Sequence, residues 1–165
     1  MSRAVRDEEG EGELKTEKLQ IRKSIIVNAS LGAVFKAISD PEELTQWFPD
    51  QAILEPKVGG KMKFSFYKEK SSEHTCATDT VSEGIVKELI PNKKLSYTWK
   101  QMDVPGFPET VVTWELEEID VNKTKVKLLH SGFTGREERK SFKEHDQGWS
   151  YFISRLEKYC TERNK

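Results

Sequence analysis

Cysteine is scarce in this chain, and its scarcity argues against two kinds of scaffold. The 165 residues hold two cysteines, Cys76 and Cys160, with no Cys-x-x-Cys spacing. A disulfide framework needs more thiols, and a structural zinc site needs paired ligands. Charge of one sign is missing too. The 27 Lys and Arg against 28 Asp and Glu give a net charge of −1, so there is no broad basic field to draw in nucleic acid or an anionic membrane. No run is long and apolar enough to span a bilayer, and the N-terminus lacks the apolar stretch of a signal peptide. Together these absences read as a cytoplasmic protein with reduced thiols and with neither nucleic acid nor membrane as partner. On that reading Asn28-Ala29-Ser30 and Asn122-Lys123-Thr124 are chance matches to the glycosylation pattern.

Catalytic signatures are also missing. No Gly-x-Ser-x-Gly elbow occurs, and neither cysteine has a recognisable catalytic setting. Gly59-Gly60 precedes a strand and has no Lys-Ser/Thr after it, so it reads as a backbone turn and not a phosphate loop. His74 and Cys76, one residue apart, are a poor start for a closed metal site. No metal, cofactor or catalytic residue is assigned.

What remains is an organised chain behind a charged end. Residues 1–17 are dominated by Glu, Lys and Arg and bury too little to offset their ordering, so they read as a flexible tail. Residues 18–165 read as one domain. Leu19, Ile21, Ile25 and Val27 alternate as in a strand. Ser30 caps a short helix carrying Val34, Phe35 and Ile38. Asp40-Pro41-Glu42-Glu43 starts a second helix to about Trp47, with Glu43 closing a variant capping box. Then comes sheet: Met62, Phe64 and Phe66 alternate, as do Leu95, Tyr97 and Trp99, then Val112, Trp114 and Leu116, then Val126, Leu128 and His130. Residues 82–89 are a further strand, in which Glu88 competes with Ile85 and Leu89 for the inner face. Pro91-Asn92-Lys93 and Asp120-Val121-Asn122 are turns, so the strands form an antiparallel meander with one covered face. A final helix from about Arg136 to Arg163 carries Phe142, His145, Trp149, Phe152, Ile153, Leu156, Tyr159 and Cys160 at spacings of three and four. Strands in the middle with helices at both ends make an α+β fold of six or seven strands.

Several segments carry a resemblance. Asp40-Pro41-Glu42-Glu43-Leu44 with Trp47, Val58-Gly59-Gly60-Lys61-Met62-Lys63-Phe64, Leu95-Ser96-Tyr97-Thr98-Trp99, Ser131-Gly132-Phe133, and Gly148-Trp149 with Leu156 occur in this order. Over about residues 18–162 the chain resembles the family named for the activator of the 90-kDa heat-shock-protein ATPase. That family lies within the helix-grip superfamily of START lipid-binding domains and polyketide cyclases. The resemblance implies an antiparallel sheet wrapped around the long C-terminal helix, with two short helices after the first strand. It also implies a cavity between sheet and helix. The residues expected to line that cavity are Trp47, Phe64, Phe66, Tyr97, Trp99, Trp114, His130, Phe133, Trp149 and Phe152. Tyr97 and the indole N–H groups would orient a small apolar or aromatic ligand.

The alternative for the same residues is a filled core. His130 and His145 read either as polar handles or general bases, or as satisfied core histidines. The loop Asp103-Val104-Pro105-Gly106-Phe107-Pro108-Glu109 reads as a rigid surface turn, with Phe107 as a gate or partner contact the sharper alternative. Three functions stand side by side. The first is a non-enzymatic carrier of an apolar or aromatic molecule. The second is a co-chaperone-like module contacting a heat-shock ATPase. The third is an enzyme resembling the polyketide cyclases. The expected assembly is a monomer or weak dimer.

Overall fold

A computed structural model describes residues 19–67, 79–133 and 139–163, leaving out the side chain of Arg139. The charged N-terminal segment, His74 and Cys76 lie outside the described residues. Strand β1 (Leu19–Val27) buries Ile21 and Val27 by alternation. Helix α1 (Leu31–Ser39) starts where the Ser30 hydroxyl accepts from the Ala33 amide. At the start of α2 (Pro41–Leu44) the Asp40 carboxylate accepts from the Glu42 amide at 2.9 Å, and Pro41 fills the position whose N–H has no helical partner.

The second half of the expected capping box does not form. The Asp40 amide donates to the Lys36 carbonyl at the end of α1, so no free N–H is left for Glu43. Its carboxylate turns inward instead, to Lys36, the Tyr159 hydroxyl and Arg163, and ties α2 to the end of the last helix. α2 is also shorter than expected. After Leu44 the chain tightens into i→i+3 bonds from Gln46 to Glu43 and from Trp47 to Leu44.

Strands β2 (Gln51–Leu54), β3 (Lys61–Phe66), β4 (Thr80–Ile90), β5 (Lys94–Gln101), β6 (Thr110–Asp120) and β7 (Lys123–Phe133) follow. All pairings are antiparallel, in the order β1-β7-β6-β5-β4-β3-β2. Strands β3 to β7 are the expected meander, and β2, which sequence reasoning did not place, extends it by one strand. α1 and α2 carry the chain from β1 at one edge to β2 at the other. Helix α3 (Arg139–Arg163) covers the apolar face with Trp149, Phe152, Ile153, Leu156 and Cys160. The opposite face is wet and charge-balanced, with Glu115 across from Lys127 and Glu117 across from Lys125.

Two features of β4 shape the sheet. A Cβ on Gly84 would stand 1.8 Å from the Thr98 carbonyl oxygen, so only glycine permits this approach of β4 to β5. Two residues on, the register slips between Val86 and Glu88. This bulge answers the competition for the inner face. Before it Ser82 and Val86 point inward; after it Leu89 packs on the core, and Glu88 is outside, paired with Lys94 at 2.9 Å.

Candidate functional site

The ten residues expected to line a cavity come together as one cluster, and the most exposed of them, Phe66, is 7% accessible. The backbone contacts of α3 with the sheet are concentrated on β1, where Lys23 also pairs with Asp146 at 2.9 Å, and towards β3 and β5 the contact is made by side chains. The resulting wedge is filled by rings. Trp99 on β5 touches Phe64, Tyr97, His130, His145 and Trp149, with centroids 5.6–6.5 Å apart. Phe133 belongs to a second group at the end of β7, packed on His130, His145 and Phe142.

A ring that sequence reasoning missed sits in the middle of the wedge. Phe48 packs on Trp47, Phe64, Phe66, Trp99, Trp149 and Phe152 at centroid distances of 4.9–6.2 Å. It hangs from the tight turn between α2 and β2, not from a strand or helix. Neighbouring residues on a regular element point apart, and the turn allows Trp47 and Phe48 to stack instead, 16° from parallel.

The polar atoms of this core form closed chains. The Trp149 indole N–H donates to His130 Nδ1 at 3.0 Å. The Thr110 hydroxyl donates to the Trp99 carbonyl at 2.6 Å, so His130 Nε2–H is the donor to Thr110 Oγ1 at 2.7 Å. These partners leave His130 one neutral tautomer, protonated at Nε2. His145 takes the opposite one: Nδ1–H donates to the Ser141 carbonyl at 2.7 Å, and Nε2 accepts from the Trp99 indole at 3.1 Å. Trp47 donates to the Ala37 carbonyl and Trp114 to the Tyr97 hydroxyl oxygen. All four indole N–H groups, expected to orient a ligand, are thus held by the protein itself.

Electrostatics follow the burial. Burial, with the neighbouring His145 adding to it, holds His130 well below the ordinary histidine range. His145 is also lowered by burial, against the opposing pull of its Ser141 bond and of Asp103. Burial raises the Tyr97 hydroxyl above its ordinary value and pushes the Cys160 thiol up to about 12, an inert form. With its Nδ1 lone pair held by Trp149, His130 has no basic site open for proton transfer in this arrangement. Thr110 was missed because β6 was read from Val112; extending the same alternation back two residues would have turned it inward.

Phe107 is not an exposed contact. It is 2% accessible, with its ring on Phe133 and His145. The loop around it turns at Gly106, whose φ is +79°. A depression of about 300 Å³ lies apart from the ring cluster, at the β2–β3 edge, lined by Gln51, Ile53, Lys63 and Tyr67 among others. Its walls are mixed and open to solvent. Among the described residues no three His, Cys, Asp or Glu side chains stand together to hold a metal. No described helix is long and apolar enough to cross a membrane.

The family model of the Activator of Hsp90 ATPase homolog 1-like protein matches residues 28–161. No curated protein sequence matches the chain. Among solved structures, a Mesorhizobium loti protein superposes with a TM-score of 0.72 at 23% identity, over 89% of this chain and 99% of that one. The Aha1 dimer from Colwellia psychrerythraea gives 0.65 at 21% identity, over 87% and 96%. An HSP90 activator from Plasmodium falciparum gives 0.66 at 21%, over 84% and 94%. At these identities the structural likeness establishes the helix-grip fold.

Proposed function

The chain belongs to the Activator of Hsp90 ATPase homolog 1-like family, and from that premise we propose that it is a non-enzymatic binding protein that holds a small apolar or aromatic molecule in the wedge between α3 and the sheet. The observation that carries this reading is the position of Phe48. Its ring fills the middle of the wedge, yet it is tethered by a turn and not by a strand or helix. A flat ligand that takes its place exchanges one set of ring contacts for another, so the core stays filled. Exposing one phenylalanine costs about 2–3 kcal/mol, which burial of a ligand of similar or larger area offsets. With His130 Nδ1 and His145 Nε2 both engaged as acceptors, neither core histidine has a free basic nitrogen, which favours binding over a cyclase-like reaction with a histidine base. The ten residues expected to line the cavity would form the walls, with His130 and Phe133 at one end.

Mass spectrometry of freshly purified protein, native against denatured, tests this. A discrete extra mass that is present in the native protein and lost on denaturation is the expected result. A clean unliganded mass, together with no binding of aromatic probes up to their solubility limits, would remove the reading.

A second reading, a module acting on a heat-shock ATPase, draws support from the family description and from the Colwellia and Plasmodium relatives. It predicts that saturating protein changes the turnover of such an ATPase. Unchanged turnover would leave the binding reading alone.

A further inference from the structure

The depression at the β2–β3 edge lies on the far side of the sheet from the rings. In β3 the side chains of Met62, Phe64 and Phe66 face the core, so Lys63, Ser65 and Tyr67 face away from it. Strand pairing puts Gln51 of β2 and Val81 of β4 on either side of Ser65, and Ile53 of β2 beside Lys63. These six residues are among those that line the depression of about 300 Å³. Side chains facing each other across strands stand about 5 Å apart, and those two apart on one strand about 7 Å. One small molecule in the depression therefore meets both rows.

Ser65 stands in the middle of the three strands. It is 7% accessible, and its hydroxyl makes no hydrogen bond with a described residue. Ser96 and Thr98, also buried on this face, are engaged: Ser96 with Thr113, and Thr98 with the Ile85 amide. A buried hydroxyl without a partner is unfavourable. The donors around it are unspent as well. Gln51 Oε1 accepts from the Tyr67 hydroxyl at 2.7 Å, which leaves the Gln51 NH2 group to donate. Lys63 forms no ion pair with a described residue. None of the described lining residues is acidic. Of the acidic residues next to them in the sheet, Asp50 already accepts from the Tyr67 amide, and Glu83 stands between Lys63 and Lys100.

We propose that this depression is a second binding site and that it takes a small organic acid, whose carboxylate is held by Lys63, the Ser65 hydroxyl and the Gln51 amide and whose apolar body covers Ile53 and Val81. Three donors and one positive charge match a group with two acceptor oxygens and one negative charge. A doubly charged phosphate would leave one charge without a partner among the lining residues. An uncharged amide of the same shape loses the attraction of Lys63 and brings donors to a place already rich in them. The site is independent of the wedge, because the sheet separates the two.

The test is a titration of the 15N-labelled full chain with benzoate and, separately, benzamide, which share one ring and differ in charge. Benzoate is expected to bind in the millimolar range, as suits so small a molecule, and about tenfold more tightly than benzamide. The backbone amides of Gln51, Ile53, Ser65 and Val81 are expected to move, and the four tryptophan indole N–H signals in the wedge to stay. Lys63→Met keeps the apolar stem and should weaken benzoate about tenfold; Ser65→Ala should weaken it about fivefold. Lys61→Met, two residues away on the same face and outside the depression, should change it by less than about twofold. Equal affinity for the two probes would overturn the proposal. So would shifts confined to the indole signals, a loss in Lys61→Met as large as in Lys63→Met, or no shift at these amides up to the solubility limit of benzoate. The comparison of probes needs no variant, so it decides the matter even if a variant does not fold.

Discussion

Replacing Trp149 with alanine is expected to lower the stability of the domain by about 5 kcal/mol, summing a cavity cost of about 3–5 kcal/mol for a large buried ring and about 1–3 kcal/mol for a buried acceptor left without its donor. The acceptor is His130 Nδ1, which faces the Trp149 indole at 3.0 Å and has no other partner among the described residues. The cavity would open against Phe48, Trp99 and Trp114, whose ring centres lie 5.1–5.7 Å away. Domains of this kind are stable by only about 5–15 kcal/mol in all. The variant should therefore be largely unfolded or melt about 10–20 °C lower. Urea titration followed by far-UV circular dichroism measures it. Trp149→Phe fills most of the space but still orphans Nδ1, and should cost roughly half as much. A loss below about 2 kcal/mol in the alanine variant would mean that the ring cluster closes over the hole and that the chain Trp149–His130–Thr110 does not hold helix to sheet.

Trp149 has this weight because it is where α3 meets both kinds of order in the core. Its ring joins the Phe48 group in the wedge to the histidine group at the end of β7, and its N–H fixes the tautomer of His130. In the binding reading proposed above, Trp149 would be a wall and Phe48 the side chain that a ligand displaces.

The sequence revealed the frame of this site better than its centre. Alternation placed Phe64, Tyr97, Trp99, Trp114 and His130 on one face, because a strand has only two faces and one was plainly apolar. Helical spacing did the same for Trp149 and Phe152. Phe48 escaped because it lies on no periodic element. The nearest clue was two adjacent aromatics before Pro49, which no regular helix or strand can bury together. Glu88 stayed open for a similar reason. Its inner or outer position depends on a bulge, and inserting one residue reverses every side chain beyond it. Glu43 was read as a cap from local spacing alone, whereas its carboxylate serves a contact 116 residues away with Tyr159. Local patterns predicted local bonds, and tertiary partners replaced them wherever a donor was already in use.

Acid is expected to destabilise the fold well above the range in which carboxylates titrate, and His130 is the main cause. In the unfolded chain a histidine takes its proton near pH 6.5. In the folded chain burial and the neighbouring His145 hold the His130 pKa well below that. Between the two values the unfolded state binds a proton that the folded state refuses. Stability is therefore full above about pH 7, falls as the pH drops through 6.5, and levels off only below the folded pKa. The slope approaches about 1.4 kcal/mol per pH unit for one such group. His145 contributes in the same direction with less weight, because its Ser141 bond and Asp103 oppose the burial. The groups around His130 are Thr110 from β6, Trp99 from β5, Phe133 from β7, and His145 and Trp149 from α3. None of these carries a negative charge that would restore the imidazolium. The comparison variant is His130→Gln, whose amide can accept from Trp149 and donate to Thr110 without titrating. Urea midpoints at pH 7.5, 6.5, 5.5 and 5.0 should fall more steeply in the wild-type chain than in the variant. Parallel curves would mean that the folded protein accepts the proton, which requires the Trp149–His130 bond to open under mild acid.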